Sequence, residues 1–340
     1  MSIKIQKNIP LSKYTSFKIG GPAKFFCVAE NVDEIQEALE FAEKNKLKVF
    51  VLGGGSNLLV SDKGFNGIVI KTQDTIYKIQ TDSKIFVGAG LPLAKLVNES
   101  VKNNLTGLEM MAGIPGTVGG AIANNAGAFG RCLGDVVESV EILENPPSPL
   151  FQRGSTLPPL AKGVRGIFKL NNKECQFSYR NSIFKEEKKS IILNAVLKLE
   201  KGHKEESDKK TITPSLKKRV GEILKLRKEK QPLEYPSAGS VFKNPVVDDK
   251  RLAELIKEYP EIQNIAKNNI IPAGWLIEQI EGLKGKKIGG AMISEKHCNF
   301  IVNFNNAKAE DIIILISLIK QKVRSHFGIQ LEEEIEYVGF

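Results

Sequence analysis

Short apolar stretches alternate with amphipathic ones along the chain, and their periods predict a mixture of strands and helices. Segments 23–30, 47–53 and 64–72 are apolar or alternate with a period of two, which is typical of strands. Between the first two, apolar residues recur at helical spacing from Val32 to Ala42, and Asn31 is placed to cap that helix. A strand, a helix and a second strand that exits into glycines favour an open α/β layer.

The middle of the chain continues in the same way. Segments 76–82, 84–90 and 136–144 predict strands, and residues 92–104 predict a helix. We also expect a strand in residues 173–184, "KECQFSYRNSIF", paired with 136–144 as a hairpin.

The last third of the chain has clear helix boundaries. A helix is predicted in 213–232, with Thr213 as its cap and Pro214 at its first position. A second helix is predicted in 308–328, where Gly328 provides the C-terminal cap. The final residues, 331–340, predict a strand.

These patterns divide the chain into three predicted domains: residues 1–72 with 329–340, residues 73–203, and residues 209–328. A charged linker at 200–210 separates the last two. A segment at about 145–170, rich in proline, glycine and basic residues, interrupts the second domain. We interpret it as an inserted surface excursion, with a proline-rich docking motif as the alternative.

Two segments carry the whole excess of positive charge. The net charge is +10, and residues 145–170 contain four basic and no acidic residues, while residues 201–230 have an excess of six basic residues. Neither segment interleaves aromatic residues with its charges, so we expect solvated faces and no nucleic-acid binding. The chain has no apolar run of about 18 residues and no signal-peptide pattern, which predicts no membrane insertion and a cytoplasmic location.

The spacing of the cysteines and histidines argues against metal binding and dithiol redox chemistry. Four cysteines lie far apart with no CxxC spacing, and three histidines are scattered, so we predict neither a metal site nor a redox dithiol. The candidate chemistry lies in two glycine-rich stretches, "VLGGGSNLLV" at 51–60 and "MAGIPGTVGGAIANNAGAFG" at 111–130. Glycine lets a backbone approach phosphate or a flat ring closely, but the first stretch fits neither a P-loop nor a GxGxxG motif. Taken alone, each stretch is compatible with a flexible turn.

Eight motifs in order give the chain a recognisable family pattern. In those motifs the sequence resembles the UDP-N-acetylenolpyruvoylglucosamine reductase (MurB) family, in its shorter type II branch, over nearly the whole chain apart from the insert and the linker. The motifs are "TSFKIGGPA", "VLGGGSNLLVSDKGFNGIVI", "AGIPGTVGGAIANNAGAFG", "FSYRNSIF", "PSAGSVFKNP", "AGWLIEQ", "GLKGKKIGGAMISEKHCNFIVN" and "EIEYVG".

The resemblance implies an α+β protein with the vanillyl-alcohol-oxidase (PCMH) type of FAD-binding fold and a C-terminal α+β substrate-binding domain. It implies a cytoplasmic enzyme, expected to be a monomer, that uses FAD and NADPH in peptidoglycan synthesis. The reaction reduces UDP-N-acetylglucosamine enolpyruvate to UDP-N-acetylmuramate. Hydride passes from NADPH to the flavin N5 and then to the methylene carbon of the enolpyruvyl group, which leaves an enolate-like negative charge.

The same resemblance assigns three catalytic residues. Ser240 in "AGSVFKNP" donates the proton, and Arg180 in "SYRNS" and Glu334 flank the carboxylate. Arg180 supplies positive charge where negative charge develops. Glu334 is expected to be protonated or to share a proton, since an ionised carboxylate would repel the enolate. Glu332 is the weaker candidate in the same acidic run, on the same strand face as Glu334.

The resemblance also assigns the binding residues. Tyr179, Lys243 and Asn244 are expected to bind substrate, and Lys243 either grips the diphosphate or eases formation of a serine alkoxide. The expected FAD contacts are Gly53, Gly54, Gly55, Ser56, Asn57 and Leu58 in the first glycine-rich stretch, and Gly113, Pro115, Gly116, Gly119, Gly120, Ala123, Asn125, Ala126 and Gly127 in the second.

The chain departs from the family pattern at three places, of which the last two concern substrate-domain packing or UDP contacts and leave the core chemistry standing. Lys18 stands where arginine is expected and Met292 where glutamine is expected, and the Ile280–Glu281 region is one residue longer. Two other functions are weighed against the leading one: an FAD-dependent oxidase of small alcohols or sugars, and a basic nucleic-acid-binding protein. The set of Arg180, Ser240 and Glu334 argues against the first, and the localised charge argues against the second.

Overall fold

The structure is a computed structural model, and it describes residues 3–144, 166–187, 190–202 and 215–340. In these ranges the strands are β1 (Gln6–Pro10), β2 (Pro22–Ala29), β3 (Lys48–Leu52), β4 (Leu58–Val60), β5 (Phe65–Thr72), β6 (Tyr77–Thr81), β7 (Lys84–Gly88), β8 (Leu105–Thr106), β9 (Gly127–Ala128), β10 (Arg131–Cys132), β11 (Val137–Glu144), β12 (Ile167–Asn171), β13 (Ser190–Lys198), β14 (Glu200–Lys201), β15 (Ser237–Ser240), β16 (Lys287–Ile288), β17 (Ala291–Ile293), β18 (Phe300–Asn303) and β19 (Glu336–Val338).

Four of the described helices, at 32–44, 93–102, 216–230 and 309–327, lie where the sequence predicts helices. The described helices are α1 (Val32–Lys44), α2 (Leu93–Lys102), α3 (Val118–Ala123), α4 (Ile183–Glu187), α5 (Leu216–Lys230), α6 (Asp249–Glu258), α7 (Ile262–Ile265), α8 (Ala273–Glu278) and α9 (Ala309–Phe327).

The described chain divides into two compact units. The first contains residues 1–7, 25–54 and 67–227, and the second contains residues 8–24, 55–66 and 228–340. The division into three domains stays a prediction.

The first unit contains the predicted strand–helix–strand start. Asn31 caps α1 by accepting a hydrogen bond from the Glu34 N–H at 3.0 Å, and the buried face of α1 includes Ile35 and Leu39. Strands β3 and β5 pair in parallel, in a sheet whose strand order is β1-β2-β5-β3. The buried side of α1 packs with Ile68 and neighbouring residues in one hydrophobic cluster, as the amphipathic pattern predicts.

A five-stranded antiparallel sheet, of order β12-β11-β13-β7-β6, forms the larger part of the first unit. Its strands β6, β7 and β11 match the predicted segments. The prediction of a strand in 173–184 is wrong: β11 pairs with β12, so that Leu143 lies opposite Ile167 and Ser139 lies opposite Asn171. The expected insert therefore overlaps β12 at its C-terminal end, while residues 145–165 lie outside the described residues.

The side chains of Asn171 and Asn172 explain why residues 173–184 do not form the predicted strand. The Asn171 carboxamide oxygen accepts hydrogen bonds from the Lys173 and Glu174 N–H groups, which turns the chain. The Asn172 amide donates to the carbonyl oxygens of Gly134 and Val137 at 2.8 and 2.7 Å. These local bonds replace a strand ladder, and residues 172–182 form turns before the short helix α4.

Helix α5 has only one buried residue, Ile223. The helix begins at Leu216, and the predicted cap Thr213 and first residue Pro214 lie outside the described residues.

The second unit is built around a four-stranded sheet of order β15-β18-β17-β16 and the long helix α9. The buried face of α9 includes Ile312, Ile316 and Ile319, which lie in one hydrophobic cluster with residues of β15, β17 and β18. Gly328 ends α9 with a φ of 64°, the left-handed conformation that favours glycine, as predicted. The predicted last strand is shorter than expected and is β19, which pairs in parallel with β4.

Candidate active site

The two glycine-rich stretches meet within the first unit. Gly53 and Gly54 follow β3, and Gly116 and Thr117 precede α3. A Cβ atom on Gly54 would lie 2.5 Å from the Gly116 Cα, and one on Gly53 would lie 2.7 Å from the Thr117 Oγ1. No larger residue fits at Gly54 without moving backbone, so this part of the stretch is a close backbone approach and not merely a flexible turn.

The rest of the first stretch belongs to the second unit. Gly55 has a φ of 63°, and its carbonyl oxygen accepts a hydrogen bond from the Ser16 N–H. The Asn57 side-chain amide donates to the Glu334 carbonyl oxygen at 3.0 Å, and the Asn57 carbonyl oxygen accepts from the Glu336 N–H at 2.9 Å. Leu58 opens β4. The structure therefore places Asn57 beside the backbone of a predicted catalytic residue.

Several amides of the second stretch are used inside the protein. The Gly119 N–H donates to the Ala89 carbonyl oxygen at 2.8 Å, and the Ala126 N–H donates to the Ala121 carbonyl oxygen at 2.7 Å. Gly113 and Gly54 expose their backbones, and Gly113 has a φ of 77°. The Gly119 and Ala126 amides are therefore already used within the fold.

Asn125 connects the second stretch to the segment that carries Arg180. Its amide donates to the Ser178 carbonyl oxygen at 2.8 Å, and its oxygen accepts from the Gly134 N–H at 2.9 Å. The Ser182 hydroxyl donates to the Ala123 carbonyl oxygen at 2.6 Å. Asn125 was predicted to contact FAD. Its side chain, which is 4% exposed, connects the backbone of Ser178 to that of Gly134.

Arg180 lies at the tip of a tight turn. Ser178 and Asn181 exchange both backbone hydrogen bonds, and Tyr179 and Arg180 form the two-residue connection. Arg180 has a φ of 55°, which is uncommon for a residue with a side chain. Its guanidinium carbon lies 5.7 Å from the ring centroid of Tyr179, whose side chain is exposed. Strained non-glycine residues of this kind occur preferentially at functional sites.

Ser240 and Glu334 are neighbours in the second unit. Ser240 ends β15, and the next residue, Val241, accepts a hydrogen bond at its carbonyl oxygen from the Glu334 N–H at 2.7 Å. Both residues are partly exposed. Residues far apart in the chain, and predicted to share one reaction, are thus brought together by backbone pairing.

The three glutamates of the acidic run differ in their surroundings. Glu332 lies 3.3 Å from the Lys243 Nζ, and the Lys243 N–H donates to the Glu332 carbonyl oxygen at 2.9 Å. Glu333 forms an ion pair with Lys320 at 2.8 Å. Each of these two carboxylates therefore has a lysine partner. Asn244, predicted to bind substrate, accepts a hydrogen bond from the Ala273 N–H at the start of α8.

Sequence reasoning did not single out Asn299. This residue is 3% exposed, and its side chain bonds both backbone groups of Phe242: its oxygen accepts from the N–H at 2.9 Å and its amide donates to the carbonyl at 2.8 Å. It therefore fixes the segment that follows Ser240. The sequence signal that could have identified Asn299 is its position as a polar residue among the apolar residues of "HCNFIVN".

The departures from the family pattern are accommodated locally. Lys18 has a φ of 58°, Met292 lies in β17 opposite Val302, and Ile280 is a core residue. The 280–285 segment, expected to be one residue longer than the family pattern, forms a turn in which Gly282 has a φ of 79°.

Thiol and metal chemistry find no support in the described residues. Burial raises the pKa of Cys27 and of Cys175 to about 12, and that of Cys298 to about 11, so these thiols are unreactive. Within the described ranges, no group of three or more histidine, cysteine or acidic residues could hold a metal ion. No described helix is both long enough and apolar enough to span a bilayer.

Comparison with known sequences gives the family. The profile of the UDP-N-acetylenolpyruvoylglucosamine reductase C-terminal domain matches residues 231–338, and that of an FAD binding domain matches residues 23–146. A protein named UDP-N-acetylenolpyruvoylglucosamine reductase from Caldanaerobacter subterraneus subsp. tengcongensis is 40% identical over 99% of this chain and 94% of its own length. The chain belongs to the UDP-N-acetylenolpyruvoylglucosamine reductase family.

Two further relatives of the reductase family agree. The protein of this name from Caldicellulosiruptor bescii is 39% identical over 99% of this chain and 91% of its own length. The crystal structure of UDP-N-acetylenolpyruvylglucosamine reductase (MurB) from Thermus caldophilus superposes with a TM-score of 0.70 and 31% identity, covering 99% of each chain. Family membership confirms the predicted FAD-binding fold, the class of flavin-dependent oxidoreductase, and FAD and NADPH as cofactors.

The residues of this chain fit the FAD of the reductase family. The close backbone approach between Gly54 and Gly116 and the exposed Gly113 leave a surface without side chains, which a flat or phosphorylated group can approach closely.

Proposed function

We propose that this protein reduces UDP-N-acetylglucosamine enolpyruvate to UDP-N-acetylmuramate with NADPH and FAD, as a step of peptidoglycan synthesis. The observation that carries this proposal is the pairing of the Ser240 segment with Glu334, through the 2.7 Å hydrogen bond from the Glu334 N–H to Val241. This pairing brings the backbone of Glu334 next to the segment of Ser240, and a hydroxyl and a carboxyl group on such neighbouring segments could together supply a proton to a developing enolate. FAD, when bound, supplies the hydride-transfer chemistry.

Ser240 is proposed as the proton donor. A serine hydroxyl is a weak acid in water, so it requires neighbours that stabilise its deprotonated form. Glu334 is proposed to hold a proton next to the substrate carboxylate, because an ionised carboxylate would repel the enolate. Lys243, held beside Glu332, is proposed to bind the diphosphate of the substrate or to ease formation of the serine alkoxide.

Arg180 is proposed to stabilise the negative charge of the carboxylate and the enolate. Arg180 is partly exposed, its Nε is buried, and hydrogen bonds from Asn125 and Ser182 connect its turn to the second glycine-rich stretch. A preorganised positive charge of this kind stabilises a transition state without reorganisation. Tyr179 and Asn244 are proposed to contact the substrate.

The FAD contacts are proposed at Gly53–Leu58 and at the second glycine-rich stretch, as predicted. We also propose that the enzyme acts as a cytoplasmic monomer that binds neither nucleic acid nor membranes. These points are tested by sedimentation of the purified protein and by its elution from a nucleic-acid column.

The activity is tested by NADPH oxidation that depends on the enolpyruvyl nucleotide. We expect purified protein to be yellow, to oxidise NADPH with this nucleotide, and to show no turnover with simple alcohols or sugars. Turnover with alcohols and none with the nucleotide would support the oxidase instead. A protein that binds no flavin would contradict both.

The roles of Ser240 and Glu334 are tested by separating the two half-reactions. We expect Ser240→Ala to keep NADPH-dependent bleaching of the flavin and to slow reoxidation by the nucleotide by about 10²-fold or more, a typical loss for a proton donor. Glu334→Gln is compared with Glu333→Gln and Glu332→Gln as matched controls. A loss confined to Glu332→Gln would contradict the assignment of Glu334.

A further inference from the structure

The segment 241–243, which directly follows Ser240 in the second unit, is held by hydrogen bonds on two sides. On one side the Val241 carbonyl oxygen accepts from the Glu334 N–H at 2.7 Å. On the other side the Val241 N–H donates to the carbonyl oxygen of Asn299 at 2.8 Å. The position of Ser240 relative to Glu334 therefore depends on what Asn299 holds.

The side chain of Asn299 extends the pairing of β15 beyond its end. The strand pairing of β15 with β18 ends at Ser240, which lies opposite Phe300. At the next-but-one residue, the Asn299 side-chain oxygen accepts from the Phe242 N–H at 2.9 Å, and its amide donates to the Phe242 carbonyl oxygen at 2.8 Å. A carboxamide carries the same donor and acceptor as a peptide group, so Asn299 takes the place of a partner strand. Phe242 is 1% exposed, and its backbone groups need such partners because buried polar groups are costly when unpaired.

Asn299 is itself fixed in place. It is 3% exposed, and its N–H donates to the Nδ1 of His297 at 3.3 Å. Burial lowers the pKa of His297, which keeps the ring neutral at pH 7 and leaves Nδ1 able to accept. The side chain that holds the Phe242 backbone thus belongs to a buried, preorganised set of hydrogen bonds.

We propose that Asn299 is a positioning residue for proton transfer, which keeps the Ser240 segment in register with Glu334. The inference rests on the proposed function, in which Ser240 donates the proton and Glu334 holds one beside the substrate carboxylate. No contact with the substrate is assigned to Asn299, because both groups of its side chain bond the backbone of Phe242.

Proton transfer is sensitive to such positioning. A proton donor acts within hydrogen-bond reach of the atom that it protonates, and a misplacement of about 1 Å can cost about 10²-fold in rate. Reduction of the flavin by NADPH is a separate half-reaction that does not use Ser240. Loss of Asn299 should therefore slow one half-reaction and spare the other.

The experiment compares Asn299→Leu with Asn303→Leu. Asn303 lies at the other end of β18, is 9% exposed, and also bonds two backbone groups through its side chain. It donates to the Phe17 carbonyl oxygen at 3.0 Å and accepts from the Ala307 N–H at 2.8 Å, so it does not touch the 241–243 segment. Both variants remove a buried carboxamide, and only the first removes it from beside Ser240.

The two half-reactions are measured separately, with reoxidation followed at saturating nucleotide so that binding does not limit it. We expect Asn299→Leu to bleach with NADPH within about twofold of the wild-type rate and to slow reoxidation by about tenfold or more. The solvent deuterium isotope effect on reoxidation should rise, because proton transfer then limits the rate more. Asn303→Leu should lower the Tm to a similar extent and leave both the reoxidation rate and the isotope effect near the wild-type values.

Amide hydrogen exchange of the apoprotein tests the holding without any activity. Peptides that contain 241–243 should exchange faster in Asn299→Leu than in the wild type, and at the wild-type rate in Asn303→Leu. If Asn299→Leu does not fold, Asn299→Ser, which leaves room for water at the freed groups of Phe242, is measured in its place. Exchange at Phe242 in the wild type as fast as in an exposed loop would overturn the inference.

The inference would also be overturned if Asn299→Leu reoxidised within about twofold of an active wild type. Equal slowing of both half-reactions, or slowing of reoxidation by Asn303→Leu to the same extent, would make the role of Asn299 structural only. A wild-type protein that does not turn over the nucleotide would contradict the proposed function itself. The wild-type assay is therefore performed first, so that the two failures remain distinguishable.

Discussion

Arg180 occupies a backbone conformation that an arginine adopts at a cost. A residue with a Cβ in the left-handed region loses about 1 kcal/mol or more relative to the right-handed one, while glycine does not. We therefore expect Arg180→Gly to be as stable as Arg180→Gln or more stable by about 1 kcal/mol in free energy of unfolding, although both lose the positive charge. Urea denaturation measures the stability of both variants.

Catalysis should respond differently from stability. Both Arg180 variants should lose product formation by about 10²-fold or more, because each removes a charge that stabilises the transition state. If Arg180→Gly were less stable than Arg180→Gln, the turn would not be strained, and the conformation of Arg180 would carry no functional information.

At the scale of elements, Glu109 ties helix α5 to the turn that precedes the second glycine-rich stretch. Its carboxylate accepts hydrogen bonds from the Thr106 hydroxyl at 2.8 Å and the Gly107 N–H at 2.7 Å, and pairs with Arg219 at 3.2 Å. Burial by itself raises the pKa of Glu109, but these hydrogen bonds and the charge of Arg219 hold the pKa below its ordinary value of 4.5.

The depressed pKa predicts how stability depends on pH. A carboxylate whose pKa is lower in the folded than in the unfolded state stabilises the fold above the unfolded pKa, and this contribution is lost as pH falls through the folded pKa. We expect Glu109→Gln to cost about 2 kcal/mol in free energy of unfolding near pH 7. The difference from the wild type should shrink in acid below about pH 4.

Urea denaturation at several pH values measures this difference. Glu222→Gln, an exposed substitution on α5, the helix that carries Arg219, is the control and should change stability little at any pH. A difference for Glu109→Gln that stays constant from pH 7 into acid would show that the carboxylate charge does not carry the effect.

Helices and strands were predictable where local residues determine them. Asn31 and Gly328 cap α1 and α9 as expected, since caps and periodicity act over a few residues. The strand expected in 173–184 failed because Asn171 and Asn172 turn the chain through side-chain bonds, which an apolar pattern does not reveal. The sequence therefore predicts a helix or strand best where no side chain forms hydrogen bonds with the backbone in place of the regular ones.

The site was predictable only in part. The motifs gave Ser240 and Glu334, but not the backbone pairing that joins them across the intervening chain, because pairing depends on the tertiary fold. The FAD contact of Asn125 stays a prediction, whereas the hydrogen bonds of its buried side chain to Ser178 and Gly134 depend on the tertiary fold and were not predictable. Arg227 lies in a basic run that the sequence presents as a solvated face, whereas in the structure it packs on Gly113 and donates a hydrogen bond to the Ala112 carbonyl oxygen.

At the scale of the whole molecule, the cofactor should contribute to stability. A ligand that binds only the folded protein stabilises it by about 2.7 kcal/mol at 100 times its Kd and by about 4.1 kcal/mol at 1,000 times its Kd. The close approach of Gly54 to Gly116 is formed by packing, so unfolded chains cannot provide it. We therefore expect the Tm of the apoprotein to rise steadily with the logarithm of FAD concentration above the Kd.

Calorimetry of apoprotein at a series of FAD concentrations measures this rise, with riboflavin, which lacks the diphosphate and the adenosine, as the matched ligand. Riboflavin should shift the Tm much less than FAD at equal concentration, because it cannot use contacts to the diphosphate. Equal shifts for the two ligands would place all the binding free energy on the flavin ring and would contradict the phosphate contacts proposed for the first glycine-rich stretch. Gly54→Ala should reduce the FAD shift, since the added methyl group would displace the Gly116 backbone and disrupt the approach that the cofactor uses.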